Sequence, residues 1–204
     1  MRRKSLVDIV ADVVGERRLR AEGFARQGRT FYLTNDSGDY ALVEIQGSSR
    51  LPGMELFYVN VGVAPEPLVD RVTTVFGSKL AKHGVPGTEY GLLLERVKAP
   101  GGGPQGLGWT VSDAQSAAAT GELVADLLIA LPVGSLRGLV DRDRLRDEIA
   151  ARNRLTPDVE AALAARDGPG ERFEALLRRA AEWKTDSADF LAWARQYAAR
   201  HGHG

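Results

Sequence analysis

The chain has 204 residues, and its 44% hydrophobic content is enough for one sizeable domain or a compact domain with an appended section. Basic and acidic residues number 27 each, so the formal net charge is zero and gives no global attraction to nucleic acid or to an anionic membrane. Cysteine is absent, which excludes disulfides, thiolate metal sites and thiol nucleophiles and fits a reducing compartment. No apolar run approaches the roughly 18 residues of a membrane span. These features predict a soluble cytoplasmic protein.

The first segment is predicted to be an amphipathic helix. Apolar residues recur at helical spacing from Leu6 to Val14. Asp8 and Asp12 interrupt the apolar stretch that follows the basic start, so a core helix is favoured over an export signal.

An antiparallel sheet is predicted to follow this helix. Strands are expected at 29–34, 40–49, 56–63 and 90–97, with a short edge strand at 109–111. Residues 35–39 combine Asn, Asp and Gly, which tolerate positive φ, so the first two strands should pair as a hairpin.

A period of two divides the side chains of these strands between two sides of the sheet. The apolar side carries Phe31, Leu33, Val43, Ile45, Phe57, Val59, Val61 and Val63. The other side is hydrogen-bonding and forms the candidate binding surface, which we call the polar sheet face. Its candidate residues are Tyr32, Glu44, Gln46, Ser48, Tyr58 and Asn60, together with Arg29 at a strand end.

The period changes to 3.6 beyond Ser112, which predicts a run of helices. Ser112 and Gln115 have capping-box spacing, and a stripe of leucine and valine extends from Leu123 to Leu131 before Pro132 ends the helix. A helical section is expected from Ser135 to Arg154, either continuous or broken and capped again at Asp141, and Thr156 with Pro157 is expected to begin another helix. The last two helices are expected to bury Phe173, Leu176, Leu177 and Ala180, and Phe190, Leu191, Trp193, Ala194 and Tyr197.

This order of elements predicts an α+β fold, with an antiparallel four- to five-stranded sheet, helices packed on one face and a C-terminal helical section. We expect an α+β domain at 1–131 and a helical extension at 132–204 packed on it. The helix at 112–131 should lie beside the first helix over the apolar side of the sheet and contribute Leu127, Leu128 and Leu131 to a shared core, because exposed apolar faces are costly.

Four short phrases in and just before the sheet region resemble a known family. They are Gly23-Phe24, Gly28-Arg29-Thr30-Phe31-Tyr32, Val43-Glu44-Ile45-Gln46-Gly47-Ser48-Ser49 and Phe57-Tyr58-Val59-Asn60-Val61-Gly62-Val63. In order, they resemble the bacterial family known as domain of unknown function 4304, over roughly the first 110 to 130 residues. The resemblance implies an α+β fold and supplies no activity or catalytic residues. Gly47 stands where a larger polar residue is expected.

The residue patterns leave two functional hypotheses open. The first is a cytoplasmic binding protein that uses the polar sheet face to engage a protein partner. The second is a small-molecule hydrolase or transferase in which Glu44 acts as acid and base while Gln46, Tyr58, Asn60 and Arg29 orient the substrate. An alternating polar face is also what any half-exposed sheet requires.

Other chemistries find less support in the sequence. Arg26, Arg29 and Arg50 could bind an anion, but surface solubility is the favoured explanation because no glycine-rich strand-to-helix loop accompanies them. The tyrosines could stack bases, but zero net charge and the lack of RNP motifs argue against nucleic acid. The histidines are His83, His201 and His203, in no metal-binding pattern, so neither a metal nor a cofactor is predicted.

Overall fold

A computed structural model describes residues 5–76, 84–88, 91–101, 108–130, 133–183 and 187–202. The chain divides into two compact units. The first contains Met1–Ala64 and Gly87–Val140, and the second contains Pro65–Pro86 and Asp141–Gly204. The predicted division into 1–131 and 132–204, and the packing of those parts on each other, stays a prediction.

The first unit is built on an antiparallel sheet. Its strands are β1 (Ala25–Gln27), β2 (Thr30–Thr34), β3 (Tyr40–Leu51), β4 (Met54–Ala64), β5 (Leu92–Arg96) and β6 (Trp109–Val111). The strands follow the order β1-β2-β3-β4-β5, and β6 also pairs with β4. The long hairpin of β3 and β4 is therefore the centre of the sheet.

The register of this hairpin separates the two sides of the sheet. Val43 lies opposite Val61 and Ile45 opposite Val59, and all four side chains are buried. The hairpin reverses direction at Pro52 and Gly53, where the positive φ of Gly53, 79°, suits a residue without Cβ.

Three helices of the first unit are α1 (Leu6–Val14), α3 (Ala114–Ala130) and α4 (Val133–Leu139). The α1 helix, which continues into a π-helical turn at Gly15–Leu19, contacts β3, β4 and α3. Gly121 permits a close approach of α3 to α1, because a Cβ at this position would lie 2.7 Å from Cβ of Val13. The prediction that α3 lies beside α1 is confirmed. Leu131, which was expected to join their shared core, lies outside the described residues.

The α+β fold class is confirmed, and three local details differ from expectation. The strand β1 was not predicted, because a strand of three residues is too short to show a period. The cap predicted for α3 at Ser112 and Gln115 is wrong: Asp113 Oδ1 instead accepts from the Ser116 N–H at 2.7 Å. Leu123 is 41% exposed rather than buried.

The second unit is helical. Its helices are α2 (Glu66–Phe76), α5 (Arg142–Ala151), α6 (Pro157–Ala164), α7 (Glu171–Trp183) and α8 (Ala188–His201). Of the two alternatives for residues 135–154, the one with a break and a new cap is correct: Asp141 caps α5 and accepts from the N–H groups of Asp143 and Arg144. The α2 helix contacts α6 and α8, so a segment that follows β4 directly in the chain packs with the C-terminal helices.

Aromatic residues of α8 join the core of this unit to acidic residues of α2. Trp193 Nε1 donates to Asp70 at 2.8 Å, and the hydroxyl of fully buried Tyr197 donates to Glu66. Burial and this hydrogen bond to Glu66 raise the pKa of Tyr197 above its ordinary value. The expected burial of Trp193 and Tyr197 is confirmed. Trp183, at the end of α7, is 51% exposed.

Replacing Gly121 with valine should destabilise the first unit. Overpacking against Val13 costs about 1–3 kcal/mol, which exceeds the roughly 1 kcal/mol that removal of a helical glycine gains. Thermal denaturation followed by circular dichroism measures this effect. Ala119→Val, at an exposed position of the same helix, is the control for β-branching, and equal melting temperatures for the two variants would contradict the close packing.

Replacing Tyr197 with phenylalanine should lower the free energy of unfolding by about 1–3 kcal/mol, because Glu66 loses a hydrogen-bond donor. Denaturant unfolding monitored by tryptophan fluorescence gives the value. The control Tyr32→Phe removes a hydroxyl from a half-buried tyrosine in the first unit. A Tyr197→Phe variant as stable as this control would show that the contact contributes nothing.

Candidate functional site

The β-sheet register brings four predicted residues of the polar sheet face together. Glu44 lies directly opposite Asn60, and Gln46 lies opposite Tyr58. On the next strand, Arg96 lies opposite Asn60. The alternation of side chains therefore places residues from β3, β4 and β5 on one surface.

Asn60 links this surface together. It is only 3% exposed, its Nδ2 donates to Gln46 Oε1 at 2.8 Å, and its Oδ1 accepts from Arg96 Nε at 3.2 Å. The Arg96 guanidinium lies 4.2 Å from the centroid of the Tyr58 ring, within cation–π range. Gln46 and Arg96 are exposed and Tyr58 is half-buried, so we call these three residues the exposed end of the polar sheet face.

Glu44 occupies a different environment. Its Oε2 accepts from the Thr88 hydroxyl at 2.6 Å and from the Thr88 N–H at 3.4 Å, and Thr88 is itself 2% exposed. Glu44 is half-buried, and the neighbouring Leu42 is fully buried. This carboxylate therefore connects the sheet to the segment that precedes β5.

The remaining candidates lie apart from this network. The Tyr32 ring packs 6.1 Å from the Tyr40 ring. The Arg29 carbonyl accepts from the Ile45 N–H, and the Arg29 side chain reaches Asp8 of α1, on the helix-covered side of the sheet. Arg29 therefore does not join Glu44 and Gln46, because the alternation of side chains turns it to the other side.

A pocket of about 210 Å³ lies beside the start of α1 and is here called the α1 pocket. The lining residues are Ser5, Val7, Arg29, Gly47, Ser48, Glu55 and Leu56. Glu55 Oε2 accepts from the Ser5 hydroxyl at 2.5 Å and from the Val7 N–H at 3.2 Å. Two predicted candidates, Arg29 and Ser48, thus border a site that the alternation pattern did not predict.

Two arginines connect the first strands to α1. Arg29 Nε lies 2.6 Å from Asp8 Oδ1, and Arg26 Nη1 lies 2.7 Å from Asp12 Oδ1. The hydrogen bond from Arg29 holds the pKa of Asp8 below its ordinary value. Both arginines proposed as anion ligands thus have acidic partners, and the side chain of the third, Arg50, lies outside the described residues.

The described parts of the chain contain no group of three or more His, Asp or Glu residues that could hold a metal ion. No helix among them is long and apolar enough to cross a bilayer. His201 stacks on the Tyr197 ring at 4.4 Å, while His83 and His203 lie outside the described residues.

Comparison with family models gives one match, to the family described as Domain of unknown function (DUF4304), over residues 16–106. The match supports the assignment of this region to that family. The resemblance seen in the sequence is confirmed, and the match covers β1 to β5 of the sheet together with α2. Searches of curated proteins and of solved structures gave no significant match.

The sequence pattern did not predict the contacts of several residues in and around the sheet. Arg96 and Thr88 come from segments remote from the hairpin, and only the β4–β5 register brings Arg96 to Asn60. The sequence signal for Arg96 is its place in the alternation of β5. Ser5 and Glu55 are 50 residues apart, and no local pattern predicts their contact.

The contact between Arg29 and Asp8 predicts a pH-dependent contribution to stability. Because the pKa of Asp8 is lowered by folding, the contribution is present above the ordinary value of 3.8 and is lost as the pH falls through the folded-state pKa. Asp8→Asn should therefore lower the free energy of unfolding at neutral pH, with the difference from wild type shrinking below about pH 4. Urea denaturation across this range provides the measurement.

The control for that measurement is Asp36→Asn, which removes the same charge from an exposed turn position. A difference between Asp8→Asn and wild type that persists unchanged at the lowest pH would contradict the expectation.

Proposed function

We propose that residues 16–106 form a protein-binding module whose contact surface is the exposed end of the polar sheet face. The observation that carries this proposal is the fixed orientation of Arg96. Nε of its guanidinium donates a hydrogen bond to Asn60, and the guanidinium lies 4.2 Å from the centroid of the Tyr58 ring, while the Arg96 side chain remains exposed.

A held arginine favours binding because less conformational entropy is lost when a partner arrives. Ordering a long side chain at an interface costs about 0.5–1.5 kcal/mol, and the contacts of Arg96 with Asn60 and Tyr58 reduce that cost in advance. Arginine and tyrosine are also among the residues that contribute most to protein interfaces.

The chemistry of this surface favours an acidic partner. Within the described part of the chain, no residue accepts a hydrogen bond from the two terminal nitrogens of Arg96. A planar guanidinium suits a carboxylate in bidentate geometry. Exposed Gln46 adds an amide next to it, so an Asp or Glu side chain of the partner is the proposed contact of this end.

Catalysis through Glu44 is the alternative. Its support is a half-buried carboxylate next to polar side chains, but both of its hydrogen bonds from Thr88 serve to hold the sheet and the following segment together. Binding therefore accounts better for the arrangement. The proposed setting is the cytoplasm, since a cysteine-free composition suits a reducing compartment.

Binding should depend on Arg96 more than on an arginine elsewhere. Immobilised full-length chain is used to capture proteins from a lysate of the source organism, with quantification by mass spectrometry. Arg96→Ala should weaken capture of a specific partner about tenfold or more, and Arg96→Lys should weaken it less, since lysine keeps the charge but loses the planar fork. The matched control is Arg20→Ala, at an exposed position outside this surface.

Equal capture by wild type and Arg96→Ala would overturn the proposed surface. The catalytic alternative would replace it if the wild type hydrolysed p-nitrophenyl acetate or p-nitrophenyl phosphate and Glu44→Gln abolished that turnover.

A further inference from the structure

The α1 pocket is chemically distinct from the exposed end of the polar sheet face. Both a guanidinium, that of Arg29, and a carboxylate, that of Glu55, line its volume of about 210 Å³. Ser5 and Ser48 add hydroxyl groups to the lining. A small concave space with charges of both signs is suited to a ligand that itself carries both charges.

Arg29 is oriented from one edge only. Its Nε donates to Asp8, whereas no residue in the described ranges accepts from its two terminal nitrogens. One of those nitrogens, Nη1, lies 2.6 Å from the point that a Cβ at Gly47 would occupy. Glycine at position 47, where a larger residue was expected, therefore leaves room for the guanidinium beside β3.

A β-bulge brings Ser48 to the same place. The register of β3 and β4 shifts between Gly47 and Arg50, so regular alternation is interrupted there. Bulges commonly re-aim a side chain at a functional position. Ser48 is exposed and borders the pocket, and its hydroxyl has no hydrogen-bond partner among the residues that the structure describes.

Glu55 places negative charge at the start of α1. Its carboxylate accepts from the Ser5 hydroxyl and the Val7 N–H, so an internal group already occupies the positive end of the helix dipole. The recognition of a ligand anion in this pocket therefore depends on Arg29 and Ser48, with Glu55 attracting positive charge.

We propose that the α1 pocket binds a small zwitterion of the α-amino-acid class. Its carboxylate would contact the terminal nitrogens of Arg29 and the hydroxyl of Ser48, and its ammonium would lie toward Glu55. The pocket volume, about 210 Å³, is below the roughly 300–1,000 Å³ of sites for drug-sized ligands, which favours a molecule of amino-acid size.

The test is an NMR titration of the ¹⁵N-labelled full-length chain with L-alanine, with acetate and methylammonium as ligands that each carry one of the two charges. L-alanine should shift the amide signals of Val7, Gly47 and Ser48. The affinity for each single-charge ligand should be lower by a factor of about ten or more, because that ligand lacks one charged contact.

Variants locate the binding. Arg29→Gln should weaken L-alanine binding about tenfold or more, and Ser48→Ala should weaken it several-fold without removing any hydrogen bond found within the described structure. The matched control is Arg26→Gln. It breaks the ion pair between Arg26 and Asp12 of α1, which lies outside the pocket, and should leave L-alanine binding unchanged.

Three results would overturn the proposal. They are the absence of saturable shifts with L-alanine, binding of acetate as tight as that of L-alanine, and equal weakening by Arg26→Gln and Arg29→Gln. Because the amide spectrum also reports folding, an Arg29→Gln variant that does not fold is recognised directly, and the Ser48→Ala result then decides: unchanged affinity would overturn the proposal.

Discussion

The register of the hairpin formed by β3 and β4 is the constraint on which the first unit depends. With Val43 opposite Val61 and Glu44 opposite Asn60, one alignment sends apolar side chains to the helix-covered side and polar ones to the other. Since side chains alternate with a period of exactly two, a slip of one residue would exchange the two sets. The hydrophobic core and the network around Asn60 therefore have the same origin.

The first helix connects this sheet to the α1 pocket. Asp8 of α1 holds Arg29, and the start of the helix holds Glu55, so the position of α1 determines which charges line the pocket. The Arg29 contact is partly exposed and is worth on the order of 1 kcal/mol at most. Its larger effect is orientation, because it fixes one edge of the guanidinium and leaves the other toward Gly47.

The second unit shows a different balance of forces. Its helices bury a core rich in alanine, with Phe173, Phe190, Trp193 and Tyr197 supplying most of the bulk. Alanine permits close approach of helices, and the larger rings compensate by burying more apolar area. The polar groups of Trp193 and Tyr197 are both bonded to acidic residues of α2, which satisfies them within the packed core.

Local periodicity determined much of this protein. The alternation in residues 30–63 predicted the central strands and the opposition of apolar and polar sides, and short motifs identified the family and the caps of α5 and α6. The same periodicity grouped Glu44, Gln46, Tyr58 and Asn60 correctly, because these residues lie on adjacent strands of one hairpin.

Only the tertiary structure decided the remaining contacts. Arg96 contacts Asn60 through the pairing of β4 with β5, although the two residues are 36 positions apart in the chain. The bulge after Gly47 interrupts the alternation at Ser48. Ser5 and Glu55 form a hydrogen bond although they are 50 positions apart. The packing of α2 with α8 likewise joins residues 131 positions apart. Such contacts depend on how complete elements pack, and a local sequence pattern carries information only about neighbours within a few residues.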